Sequence, residues 1–198
     1  HIAEKLILNK NRISAKSVIA VNQKTGHRKR LDGELIILCS STIQTLKFLL
    51  NSEEKHNANG LIDPSQSLGM NLMDHISTCR FFTVPFDHNI KSASYKHKQV
   101  LSGAGSFFIP IGRDFPNKNK FEGGYGIWGG IDRFEMPEFL KKNKNTKIGF
   151  LIGHGEVLAN KENIVKLSNQ TDRFDIPIPH ISFIWRENEK NMVKEMNR

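Results

Sequence analysis

The side chains able to do chemistry are scattered along this chain. Eight histidines and two cysteines lie in 198 residues. His154 and His180 sit in strand-like runs, Gly153–Gly155 and Pro179–Ser182. A metal centre wants ligands at a fixed spacing with an acidic third, and no His-Glu-x-x-His occurs, so no metal ligand is expected. Cys39 and Cys79 cannot make a disulfide framework or a Cys-rich zinc site. Gly103-Ala104-Gly105-Ser106 comes nearest to a phosphate-binding glycine turn, but it lacks the third glycine and a following helix. Cys39-Ser40-Ser41 ends an apolar run, and small residues there let backbone approach a ligand. Cys39 itself, closing a strand expected to be buried, is not expected to be reactive. Tyr125 and Trp128 alternate with Gly124, Gly126 and Gly129, whose missing side chains let backbones close together.

The elements that must position these residues read in two styles. Residues 3–38 form a strand meander: Lys5–Leu8, then Ala15–Gln23, a Lys24–His27 turn, and the polar edge strand Arg28–Asp32. Glu34–Cys39 is a continuous apolar run, the pattern of a strand buried on both faces. Ser40, Ser41 and Thr42 offer N-caps for a helix over 42–51. Strand–turn–helix of this kind resembles one edge of a doubly wound dinucleotide fold. Beyond residue 60 strands dominate, over Ser77–Val84, Val100–Ile111, Gly124–Ile131, Lys147–Leu158, Asn163–Leu167 and His180–Trp185. Only Pro137–Lys142 and Glu187–Met196 read as helices there. The expected class is α+β: an antiparallel sheet with few helices, joined to the meander and a strand–helix edge of a Rossmann-like domain. The expected domains are 1–75 and 76–198.

The formal charge is 29 − 20 = +9. The cations sit in short loop-like clusters, Lys24–Arg30, Lys96–Lys98, Lys118–Lys120 and Lys141–Lys147. Phenylalanines fall inside apolar runs instead of interleaving with cations, as a nucleic-acid reader would arrange them. No nucleic-acid partner is expected. No apolar run reaches the ~18–20 residues that span a bilayer, so no membrane span is expected either.

Four segments in order resemble the FAD-dependent glucose–methanol–choline (GMC) oxidoreductases. Glu34–Ser52, ELIILCSSTIQTLKFLLNS, is similar to the family's strand–turn–helix. Ser67–His75, SLGMNLMDH, is similar to its Val-Gly-Arg-Asn-Leu-x-Asp-His signature, with Met70 in place of the arginine. Gly123–Gly130, GGYGIWGG, resembles a Gly-Tyr-Gly-Phe-Gln-Gly-Gly segment of bacterial members. The fourth stretch carries Gly155–Leu158, Glu162-Asn163, Phe174–Pro177 and Glu187–Glu189 in family order.

The resemblance implies oxidation of a CH–OH group in an alcohol, sugar or polyol, with hydride passing to flavin N5. It implies FAD near Ile2, Cys39, Ser40, Ser41, Asn71 and Leu72. It implies a substrate pocket near Tyr125, Trp128 and His180. The family's phosphate-binding fingerprint precedes the matched region and its catalytic histidine follows it. These residues are therefore expected to hold no catalytic group, and alone to be inactive. His75, inside the matched signature, is expected to order a loop with Asp74. The electron acceptor and compartment are left open, with the bacterial cytoplasm or periplasm the guess. The rival from another class is a non-catalytic relic or binding module for sugars or polyanions.

Overall fold

The computed structural model of the chain describes residues 1–56, 60–85, 106–111, 120–131, 138 and 146–198. The described residues form two helices and nine strands, and every strand pairing is antiparallel, an α+β arrangement. The strands are β1 (Ile2–Leu8), β2 (Ala15–Val21), β3 (Arg28–Asp32), β4 (His75–Pro85), β5 (Ser106–Ile111), β6 (Tyr125–Ile131), β7 (Thr146–Glu156), β8 (Ile164–Thr171) and β9 (Pro177–Ser182). The helices are α1 (Thr42–Asn51) and α2 (Glu187–Met196). The Gly103-Ala104-Gly105 run, most of the helix expected over Pro137–Lys142, the start of the run from Val100, and most of three basic clusters lie outside the described residues.

Two compact units share the chain. His1–Met73 with Ala159–Ile184 make the first; Asp74–Leu158 with Trp185–Arg198 make the second. Residues 159–184, expected with the C-terminal domain, thus pack with the N-terminal one.

In the first unit β2 lies between β1 and β3. The β2–β3 turn closes with Gly26 at φ +73°, a left-handed conformation that glycine adopts without a Cβ penalty. β3 is exposed throughout, but Arg28 is bound to Glu4 at 2.7 Å and Arg30 to Asp32 at 2.9 Å. Those two cations are matched by carboxylates of the same unit. Leu6, Leu8 and Phe48 form the core, with Val18, Ile36 and Leu49 against it. Ser52, fully buried, fixes α1 to β1: its Oγ donates to the Phe48 carbonyl and accepts the Leu6 N–H at 2.8 Å. Asn51 donates to the Glu4 carbonyl at 3.0 Å beside it.

Glu34–Cys39 corrects the sequence expectation. The run is no strand, and Leu35 and Ile37 are 78% and 73% exposed. Only Ile36 reaches the core. A strand buried on both faces needs a paired neighbour on each side. Among the described residues no strand pairs with this segment. Cys39, expected under cover, is an exposed thiol.

The second unit is a four-stranded sheet in the order β4-β7-β6-β5, with α2 against it. Register places His75, Ser77, His154, Trp128 and Phe108 on one face. Ile76, Gly153, Gly155 and Tyr125 fall on the other. α2 packs on that second face, where a Cβ at Gly155 would collide with Met192. The helix start is tied down by Glu189, which accepts the Arg186 N–H at 2.8 Å and the Leu158 N–H at 3.2 Å. Burial raises the Glu189 pKa, and these backbone bonds outweigh it, leaving the carboxyl below its ordinary range.

Candidate functional sites

The larger cleft, about 810 Å³, lies in the first unit. Its walls are residues 38–41, the first half of α1, and the 61–63 and 67–70 stretches. Ser41 occupies the N-cap position at φ 68°, ψ 163° and makes no side-chain cap bond. The first α1 turn carries no acidic residue. The leading N–H groups of a helix have no intrahelical acceptor, and the helix dipole makes that end positive. Small or hydroxyl side chains surround it, with Ser40 and Thr45 hydroxyls 3.2 Å apart.

The opposite wall is shaped by backbone chemistry. Asp63 accepts the N–H groups of Ser65 at 3.1 Å and Leu68 at 2.8 Å. The Ser65 hydroxyl and then the Leu68 amide hold its carboxyl below the usual range. Gly69, at φ +89°, lies so close to β8 that a Cβ would collide with the Val165 carbonyl. Val165 N–H donates to Gly69 O at 2.7 Å, and Leu72 N–H donates to Asn163 O at 2.8 Å. The SLGMNLMDH segment is therefore stitched to the start of β8 through its main chain.

A smaller cleft of about 360 Å³ shares residues 38–40 and adds Ile2, Ala3, Gln44 and Phe48. Of the residues expected near a cofactor, Ile2, Cys39 and Ser40 thus meet in one cleft, and Cys39, Ser40 and Ser41 in the other. Asn71 (φ 56°) and Leu72 line neither. They follow Met70, which lines the larger, and the Leu72 amide is occupied by Asn163.

The second unit has its own cleft, about 440 Å³, on the sheet face opposite α2. Trp128, Phe108, His75, His154 and Glu156 line it. Ser77 Oγ lies 2.7 Å from His154 Nδ1. The His75 and His154 rings stand 4.3 Å apart, tilted by 32°. Tyr125 borders the cleft, but its odd-numbered offset from Trp128 sends its ring to the α2 face. There burial, then the negative charge of Glu195, raises the Tyr125 pKa. His180 belongs to β9 in the first unit and is exposed. His154 and Ser77 were the residues missed as partners. Their pairing comes from the β4–β7 register, which spans 77 positions in sequence.

Among the described residues no group of three His, Cys, Asp or Glu could hold a metal ion, and no helix is long and apolar enough to cross a membrane. No protein-family model matches the chain, and no curated protein matches it with significance.

Proposed function

We propose that these residues form part of a FAD-dependent oxidoreductase of the GMC type, oxidising a CH–OH group of an alcohol, sugar or polyol. The observation that carries this reading is the first-unit cleft, where Cys39, Ser40 and Ser41 meet an uncapped helix N-terminus free of first-turn acids. Such a cradle fits a diphosphate at the α1 end: N–H groups and the positive helix end attract phosphate oxygens and small side chains let them approach, while the Asp63 carboxylate on the facing wall is engaged by the Ser65 and Leu68 amides. Ile2, Cys39, Ser40 and Ser41 would hold the cofactor. FAD, when bound, supplies the hydride acceptor. The residues of this chain bind and orient the cofactor.

Titration of the isotope-labelled chain with FAD, followed by amide NMR, tests the assignment. Shifts are expected at Ile2, Cys39–Thr42 and Met70, with FAD too weakly held to survive gel filtration. Unchanged spectra at millimolar FAD would reject the cleft as the cofactor site. A stoichiometric yellow complex after gel filtration would show that no further segment is needed for tight binding.

A further inference from the structure

We propose that the outer edge of β3 binds an acidic peptide in extended conformation, which joins the three-stranded sheet of the first unit as a fourth, antiparallel strand. The proposal goes beyond the oxidoreductase reading and does not rest on it: no β3 residue lines either first-unit cleft described above.

The two ends of this sheet are treated differently. β1 and β3 are its end strands. The outer side of β1 is covered by α1: Ser52 Oγ takes the Leu6 N–H at 2.8 Å, and Asn51 Nδ2 donates to the Glu4 carbonyl at 3.0 Å. Among the described residues no strand pairs with the outer side of β3, and all five of its residues are exposed. An open edge of this kind offers a row of N–H and C=O groups to another strand.

Register identifies those groups. Asn22 N–H donates to the His27 carbonyl at 2.9 Å, and Gly33 N–H to the Lys16 carbonyl at 3.3 Å. Between them β2 and β3 pair without a bulge, from Val21↔Arg28 to Ser17↔Asp32. Hydrogen-bonded and non-bonded residue pairs alternate along an antiparallel ladder. His27, Lys29, Leu31 and Gly33 therefore turn their main-chain groups toward β2. Arg28, Arg30 and Asp32 turn theirs outward, in a row ready to pair.

Charge selects the partner. Lys24, Arg28, Lys29 and Arg30 fall between residues 24 and 30. Glu4 and Asp32 answer Arg28 and Arg30 at 2.7 and 2.9 Å, so the stretch holds more cations than the carboxylates bonded to it. The Phe174 carbonyl, 2.7 Å from the Arg28 guanidinium, further fixes the start of the edge. Like charges set opposite one another on neighbouring strands repel. A second copy pairing through β3 would bring this cationic stretch against itself. A peptide with acids at alternate positions would instead place them on the face of Arg28 and Arg30. Its other side chains, if apolar, would lie beside Leu31, which is 44% exposed. Main-chain bonds give strand addition its affinity, and the side chains give it selectivity.

The test is fluorescence anisotropy of the labelled peptide Ser-Val-Glu-Val-Glu-Val-Ser with the whole chain, in low and in high salt. Saturable binding is expected, weakened about tenfold by high salt. The same peptide with Lys in place of Glu should not bind. N-methylation of the two Glu amides keeps the charge but removes the bonding N–H groups, and should weaken binding about tenfold or more. Arg30→Pro removes an outward N–H without breaking a bond to β2, and should cost about tenfold; Arg30→Ala, which removes only the charge, should cost about threefold. If Arg30→Pro fails to fold by far-UV circular dichroism, the N-methylated peptide carries the test. No saturable binding of the acidic peptide, or equal binding of the lysine peptide, would overturn the proposal. Equal binding of the N-methylated peptide would overturn it in favour of a plain polyanion surface. A concentration-dependent dimer in sedimentation that Arg30→Pro abolishes would overturn it in favour of a second copy of the chain.

Discussion

The two helices are the same length and begin in opposite ways. α1 and α2 each have ten residues and each packs on strands of its own unit. The first turn of α2 holds Glu187 and Glu189, and Glu189 accepts the Arg186 amide. Its positive end is satisfied by its own chain. The first turn of α1 has no acid, and Ser41 caps nothing while adopting a left-handed φ of 68°. A helix start that supplies its own carboxylate is a structural joint. One that leaves its amides beside a cleft, at the cost of backbone strain, has room for a bound anion.

The contrast can be broken most forcefully through the wall facing α1. Gly69→Ala combines a positive φ with a collision against the Val165 carbonyl. It should cost about 3 kcal/mol or more. Denaturant unfolding followed separately in each unit should show the loss in the first; equal losses would mean that the units do not unfold independently. Next in size, Glu189→Ala removes the carboxylate to which the Leu158 and Arg186 amides donate. A loss of about 2 kcal/mol is expected in the second unit.

Because the Glu189 pKa is depressed on folding, its contribution is fully present above the unfolded value of about 4.3 and fades as pH falls through the lower folded value. Glu189→Gln should flatten that acid limb, seen as thermal melting against pH. An unchanged limb would assign it to other carboxylates.

Ser52→Ala should cost about 1–2 kcal/mol by removing the buried hydroxyl that joins the Leu6 N–H to the Phe48 carbonyl. The smallest change sharpens the comparison from the other side. Ser41→Gly relieves the strained φ and should raise stability by about 1 kcal/mol. Ser41→Asp should instead erase the FAD-induced amide shifts by placing negative charge where the phosphates would sit. Retained shifts would separate the helix start from the cofactor.

The helices were legible because their signals are local: 42–51 and 187–196 follow from apolar spacing and flanking polar residues. The strands β1 to β3 were legible for the same reason, with a turn marked by Gly26. Glu34–Cys39 was not, since its composition states how much burial a strand would want but not whether a neighbour exists to pair with it. Tyr125 and Trp128 were grouped by type, although an offset of three along a strand separates them onto opposite faces. The Ser77–His154 pair and the Gly69–Val165 stitch join segments 77 and 96 positions apart, a distance at which local pattern carries no signal.

The order in which the chain is shared between its units has a consequence for how it is made. The first unit needs Ala159–Ile184, and the second needs Trp185–Arg198. On a ribosome, the N-terminal meander emerges and must wait until residue 165 has been made before Val165 can reach Gly69. Long-range closure of this kind is slow. During that wait Leu35 and Ile37, exposed even in the finished fold, are open to chaperones or to neighbouring chains. Each unit is closed by a late-arriving segment, so a ribosome that stalls before residue 159 releases neither in finished form.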